Sequence, residues 1–267
     1  MPENDAVQAT FEDDLALIAD AAREAGRIAL EYYRRDPEVW WKAGKSPVSE
    51  ADLAVDRFLR KMLLAARPAY GWLSEETAAS PERLSARRVF IVDPIDGTRA
   101  FIDGRPVWCV SIAVVERGRS VAGVLDCPAL EEVYTASRGA GAFMNGRRIE
   151  VKTPDGELVI AGPKAMIERL PEATASTVKP HGYVPSLAYR IAMVAHGALD
   201  ATFVKPNAHD WDIAAADLIL EEAGGRILDQ QGASPLYAGA DPRHGALAAG
   251  SGGLLAEMVD VIADTDR

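Results

Sequence analysis

The sequence predicts an α/β fold of the mixed, α+β kind, built in two halves. Three observations carry that reading. An amphipathic helical pattern opens the chain. Strand-like runs joined by tight turns then fill residues 70 to about 145 and pair as antiparallel neighbours. After Thr153-Pro154-Asp155-Gly156 the pattern changes to short strands alternating with helices. The expected division is an N-terminal α+β half, residues 1–153, with an antiparallel sheet, and a C-terminal α/β half, residues 154–267.

From about Phe11 to Arg35, Leu15, Ile18, Ala22, Ala25, Ile28, Ala29 and Tyr32 fall on one apolar stripe, and Pro37 closes the helix. Residues 37–48 read as a loop with Trp40, Trp41, Lys42, Gly44, Lys45 and Pro47. It is either a lid over an anionic ligand or a hydrophobic flap packed on the first helix. Ser49 and Asp52 are spaced as a capping box, with Asp replacing the usual Glu. The helix they open is expected to bury Leu53, Phe58, Leu59, Met62 and Leu63. Tyr70 to Leu73 is a strand leading into Ser74-Glu75-Glu76, and 78–87 is a polar connection. Residues 88–93 form the central buried strand, which Pro94 is expected to stop because proline cannot donate to the ladder. Val107–Glu116 and Ser120–Asp126 make a hairpin around Gly118; Glu132–Ala136 and Gly141–Met144 follow, with Asn145-Gly146 as a hairpin turn. In the second half, strands are expected at Leu158–Ala161, Ala201–Lys205, Arg226–Asp229 and Ala246–Ala249. Helices are expected at 163–170, Ser186–His196, 212–223 and Leu254–Ala263.

The 267 residues are enough for a large core, and 48% hydrophobic content argues against disorder. A net charge of −11 repels nucleic acid and anionic lipid, so neither is expected as a partner. If the substrate is itself anionic, bound cations or a local basic patch must reverse the field. The two cysteines, Cys109 and Cys127, lie in apolar runs and read as buried free thiols, which suits a reducing compartment. No apolar stretch is long enough to span a bilayer. Met1 to Thr10 is polar and acidic, unlike a signal peptide. A cytoplasmic protein is expected.

Three acidic stretches stand out. Asp93-Pro94-Ile95-Asp96-Gly97-Thr98 puts two carboxylates and a hydroxyl on a turn at a strand end. That is poor core material and good material for a hard cation, which prefers oxygen ligands. On its own it also reads as an ordinary turn, since Asp caps its own backbone. Glu75-Glu76, alone, reads as loop charge. Asp212, alone, reads as an N-cap or first-turn acid of the helix carrying Ile213, Ala216 and Leu220.

Together these stretches resemble the inositol monophosphatase family of magnesium-dependent, lithium-sensitive phosphomonoesterases. The likeness rests on Glu75-Glu76, Asp93 to Thr98, and Trp211-Asp212-x-Ala214-Ala215, in the family's order, and runs from Leu15 to about Gly250. It implies a layered αβαβα sandwich with the site between two halves, the first supplying most metal ligands and the second the last ligand and substrate contacts. It also implies two or three magnesium ions, a small phosphate ester as substrate and, as is common in the family, a homodimer. Carried over residue by residue, it gives Glu75, Asp93 and the Ile95 carbonyl to a first metal, and Asp93, Asp96 and Asp212 to a second. Glu75 and Thr98 position the attacking water. Glu76 orients that water or supports the acids. Ser46-Pro47-Val48-Ser49-Glu50-Ala51-Asp52 resembles the family's Ser-Pro-Val-Thr-x-Ala-Asp, which makes Asp52 the partner of Thr98. Gly97 and Thr98 offer N–H groups to phosphate. Lys45 stands near the position of an acid that holds a loop-bound metal in relatives.

The resemblance divides at the substrate. Leu73-Ser74-Glu75-Glu76 and Phe101-Ile102 look like the 3′(2′),5′-bisphosphate nucleotidase branch. Phe101-Ile102-Asp103-Gly104-Arg105-Pro106-Val107-Trp108 is shared with histidinol-phosphate phosphatases. Inositol-1-monophosphatases carry a glutamate where this chain has Lys205. Lys205 suits a second phosphate and equally reads as a solvated strand end. Arg190, on the helix after Ser186, matches a basic position of the nucleotidase branch, and Ser186 itself is expected among the substrate contacts. Some relatives act instead as RNA- or RNA-polymerase-associated factors. The complete acid set favours catalysis.

Overall fold

Thr10 opens the first helix by accepting the Asp13 N–H, while the Asp13 carboxylate accepts the Thr10 N–H. The computed structural model describes residues 9–42 and 46–264. In the first half the elements are α1 (Phe11–Tyr32), β1 (Val39–Trp41), β2 (Pro47–Ser49), α2 (Glu50–Ala66), β3 (Gly71–Ser74), β4 (Arg88–Asp96), α3 (Thr98–Ile102), β5 (Cys109–Glu116), β6 (Arg119–Cys127), β7 (Glu132–Ser137), β8 (Gly141–Met144) and β9 (Arg147–Ile149). Then come β10 (Leu158–Ala161), α4 (Lys164–Ile167), α5 (Glu172–Ala175), β11 (Val178–Pro180), α6 (Leu187–Ala195), β12 (Ala201–Val204), α7 (Asp210–Glu222), β13 (Arg226–Asp229), β14 (Leu247–Gly250) and α8 (Gly252–Ala263).

These elements stack as five layers, an α/β sandwich. β3 to β9 form a seven-stranded sheet in sequence order, antiparallel except for the β3–β4 pair. Strand alternation sorts its side chains. Phe90, Val92, Ile112 and Val114 face α1 and α2, where they meet Ile18, Ala22, Val55 and Leu59. Val89, Ile91 and Ala113 face the opposite way, toward α6 and α7. Beyond those helices lies a five-stranded sheet, β11-β10-β12-β14-β13, with β14 antiparallel to both its neighbours. Its far side carries Ile160, Phe203 and Ala248 against Leu255, Met258 and Ile262 of α8. The inner helix α7 lies in sequence between the third and fourth strands of the second sheet but packs on the first sheet. Ser120 Oγ donates to the Ala214 carbonyl at 2.7 Å. Gly123 permits the approach, since a Cβ there would lie 3.0 Å from the Ala215 oxygen.

Several expectations are corrected. Residues 39–41 and 47–49 pair as a short antiparallel hairpin where a loop was expected; Lys45 lies outside the described residues. Pro94 does not end β4. The ladder with β5 slips between Asp93 and Asp96 and resumes at Asp96 opposite Cys109, so a bulge absorbs the missing N–H. The buried side of α2 is Val55, Leu59 and Leu63, with Asp52 and Asp56 among them. Leu53, Phe58 and Met62 are half-buried. The stripe is rotated because both acids point inward to partners, Asp56 accepting from Ser74 and Thr77. Short elements β9, α5 and β11 were not expected, their runs being too brief for a periodic signal.

One buried cluster pins α1 to the sheet. Asp14, fully buried, accepts from Arg67 Nε at 3.0 Å, Arg88 Nη1 at 2.8 Å and the Tyr70 hydroxyl at 2.8 Å. Removing one partner of such a set leaves a buried charge unpaired, at a cost of about 3–5 kcal/mol. Asp14→Ala should therefore lower Tm by roughly 10 °C, at about 2–4 °C per kcal/mol for a chain of this size. A thermal melt within 2 °C of wild type would show that the cluster contributes no net stability.

Candidate functional site

The bulge at Pro94 turns β4 so that Asp93 and Asp96 project from one strand end. Asp93 Oδ1 accepts the Ile95 N–H at 3.0 Å. Gly97 follows at φ +94°, a left-handed conformation that favours glycine, and a Cβ there would sit 3.1 Å from the Val107 oxygen. The chain then enters α3 at Thr98. The Thr98 hydroxyl lies 3.0 Å from the Ile95 carbonyl oxygen and 3.2 Å from Asp52 Oδ1. Asp52 is held in place by the Ser49 cap, whose N–H donates to Asp52 Oδ2 at 2.8 Å.

α7 brings Asp212. The helix starts at Asp210, so Asp212 is its third residue and not its cap, and Oδ2 accepts the His209 N–H at 2.7 Å. Ligand atoms of Asp93, Asp96 and Asp212 all lie within 4.8 Å of one another. Glu75, Ile95, Gly97 and Thr98 line the same cavity of about 180 Å³. Every donor is an oxygen, the charges share one sign, and Asp93 and Asp96 are buried. This set fits a hard divalent cation.

The acids perturb one another. Burial, then the charges of Glu75, Asp96 and Asp212, hold the Asp93 carboxyl well above the usual carboxylate range. Burial and Asp212 also raise Asp96, against hydrogen bonds from Ser186 and from the Ala188 and Leu187 N–H groups. Burial lifts Asp52 to about 6 and Glu76 to about 7. The Lys42 ammonium, carried in by the end of the β1–β2 hairpin, bridges Glu75 at 3.0 Å and Glu76 at 2.7 Å. The motifs singled out Glu75 and Glu76 but not this partner. Lys42 stood in a stretch marked by its lysines, and only the hairpin fold shows which acids it meets.

Ser186 is corrected. Its side chain is fully buried, donates to Asp96 Oδ2 and caps α6, so it orients Asp96 and is not open to substrate. Arg190 and Lys205 line a second cavity of about 380 Å³. Arg190 Nη2 donates to the Phe203 carbonyl at 3.1 Å, while buried Nε has no hydrogen-bond partner among the described residues. Tyr183 lines both cavities. Sequence reasoning passed over it, although it is the one tyrosine in a loop bounded by Pro180 and Pro185 just ahead of Ser186.

The chain matches the inositol monophosphatase family over residues 12–264. An inositol-1-monophosphatase of Mesorhizobium japonicum is 37% identical over 233 residues, covering 82% of this chain and 86% of the relative. A histidinol-phosphatase of Chlorobaculum parvum is 34% identical over 238 residues, covering 85% and 89%. Among solved structures, the IMPase of Thermotoga maritima superposes with a TM-score of 0.82 at 30% identity, covering 94% of this chain and 97% of that one.

A pH dependence follows. Asp52 and Glu76, at about 6 and 7 when folded, ionise near 4 when unfolded. Between about pH 4 and 7 the folded chain binds more protons, so stability without metal falls as pH rises through that window. Burial and neighbouring acids raise Asp93 and Asp96 as well, and a magnesium ion bound to their ionised carboxylates should offset this loss. At about 100 times its Kd it adds roughly 2.7 kcal/mol, or about 5–10 °C in Tm. Melts with and without magnesium chloride should show a clearly larger gain at pH 7.5 than at pH 5. Equal gains at both would count against metal binding by this cluster.

Proposed function

The chain belongs to the inositol monophosphatase family, and from that premise we propose that it hydrolyses a small phosphate monoester at the Asp93–Asp96–Asp212 cluster with magnesium bound there. One observation carries the reading: three carboxylates from two separate elements converge within 4.8 Å, in a cavity shared with Glu75 and Thr98. Family members, including relatives of this chain, are phosphatases.

Asp93, Asp96 and Asp212, with Glu75 and the Ile95 carbonyl, would hold the metal, Asp93 serving as the bridge between two ions. Magnesium there supplies positive charge for the phosphate oxygens and the departing alkoxide. Glu75 and the Thr98 hydroxyl orient the attacking water. Asp52, 3.2 Å from that hydroxyl, is placed to take up the proton passed through it. Glu76, tied to Glu75 through Lys42, keeps that acid in place. The Gly97 and Thr98 N–H groups are assigned to the phosphate. Lithium sensitivity, a homodimeric assembly and a cytoplasmic location belong to the same proposal. No described helix is long and apolar enough to cross a membrane.

The proposed substrate carries a second anionic group, most simply a 3′(2′),5′-bisphosphate nucleotide. The names of the two relatives above point to inositol-1-phosphate and histidinol phosphate, so this preference rests on this chain's own residues. Arg190 and Lys205 line the neighbouring cavity and, among the described residues, no carboxylate does. That lining repels the amine of histidinol phosphate and attracts a second phosphate. A role confined to binding RNA or polymerase is set aside because the acid cluster is complete.

Phosphate release from 3′-phosphoadenosine 5′-phosphate, inositol-1-phosphate, fructose-1,6-bisphosphate and histidinol phosphate tests the substrate directly. Asp93→Asn should keep the fold yet cut turnover by about 10³-fold or more, as expected when electrostatic stabilisation of the reacting group is lost. Substantial residual turnover with magnesium would remove Asp93 from its bridging role. Lys205→Glu should lower kcat/KM about ten- to a hundredfold on the bisphosphate, the worth of one charge-assisted contact, and little on a simple monophosphate. Equal losses on both would reduce Lys205 to a contributor to the general field.

A further inference from the structure

The cavity beside the acid cluster has walls of two kinds. Arg190 and Lys205 supply charge, while Pro163, Val184, Leu187, Val204 and Pro206 supply apolar surface. Side-chain oxygen acceptors in the lining are the Tyr183 phenol and the Asn207 amide. At about 380 Å³ the space suits a small organic group.

Tyr183 stands at the junction, lining this cavity and the acidic one. It is 76% exposed. Its ring makes no hydrogen bond to the described residues and stacks on no ring among them. The backbone that carries it is nonetheless held at both ends. The His181 N–H donates to the Ile160 carbonyl at 2.8 Å, and Ser186 is locked onto Asp96. A large aromatic side chain is therefore presented to water on an anchored loop, beside a cavity with both apolar and charged walls, at the mouth of the phosphate site. Lying a flat ring against it removes apolar area from water without spending the freedom of a loose loop.

We propose that Tyr183 is a specificity-determining residue: its ring lies against a planar heteroaromatic group on the leaving alcohol, which enters the neighbouring cavity along its Val184, Leu187 and Val204 wall while the phosphate sits at Asp93, Asp96 and Asp212. This rests on the phosphatase reading above. It names the leaving group's shape, whereas Arg190 and Lys205 select its charge. The contact is present in ground state and transition state alike, so its loss raises KM and leaves kcat in place.

The test uses two esters of secondary alcohols, adenosine 2′-monophosphate and glycerol 2-phosphate, which differ in the ring. Tyr183→Ala should lose about 5- to 100-fold in kcat/KM on the adenylate, the range for removing a base-stacking aromatic, mostly through KM. On glycerol 2-phosphate it should lose less than about twofold. Tyr183→Phe keeps the ring and should behave as wild type on both. Equal losses on the two esters, or none on the adenylate, would overturn the proposal. If the wild type hydrolyses neither ester, the phosphatase reading is decided by the four-substrate panel above, and the ring contact is judged by calorimetric binding of adenosine 2′-monophosphate with magnesium. Binding weakened in Tyr183→Ala and kept in Tyr183→Phe supports the contact; binding equal in all three, or absent from the wild type, overturns it.

Discussion

Like charges forced together set the terms for the whole molecule. Two carboxylates about 5 Å apart repel by about 3 kcal/mol at an effective dielectric near 20, and Asp93, Asp96 and Asp212 crowd at that range. Each is held by a hydrogen bond from a different piece of backbone. The Ile95 N–H holds Asp93, the N–H groups at the start of α6 hold Asp96, and the His209 N–H holds Asp212. The cluster therefore exists only where β4, α6 and α7 meet. The stacked layers serve to keep that meeting point from relaxing.

Much of this was legible in the residues. Asp93 to Thr98 announces itself through an apolar strand that runs into acids, a proline and a glycine. The capping box at Ser49 and Asp52 marks both a helix start and a carboxylate with a fixed direction. Period-two and period-3.6 patterns found most long elements because each has one face against a core. Three-residue strands such as β9 and β11 escaped, since nothing repeats over three residues. The Pro94 bulge escaped for another reason. A proline forbids one hydrogen bond, and whether the strand then stops or slips depends on its neighbour, here β5.

The same limit governs the site. Motifs locate the proposed metal ligands, because ligand chemistry restricts their type. They say little about what touches the ligands. Ser186 looked like a substrate contact and proved to be a buried donor to Asp96. Lys42 was one lysine among several near two tryptophans, and its bridge between Glu75 and Glu76 depends on a hairpin that brings it across to them. Arg190 was expected near substrate, but the burial of its Nε is a property of packing that no spacing encodes.

The placement of α7 has a consequence for how the protein is made. This helix carries Asp212 and packs on the first sheet, yet it follows the first three strands of the second. At about 5–20 residues per second, a ribosome completes the first sheet several seconds before α7 emerges. For most of that interval the face bearing Val89, Ile91 and Ala113 has no helix to cover it, and α6 then emerges ahead of α7 to cover only part of it. A cation at the proposed site could not template the early chain either, because Asp212, the third carboxylate of the cluster, has not been synthesised. The nascent first half thus presents an uncovered apolar sheet face and an unfinished acidic rim together, a combination that calls for a chaperone's cover and not for a cation.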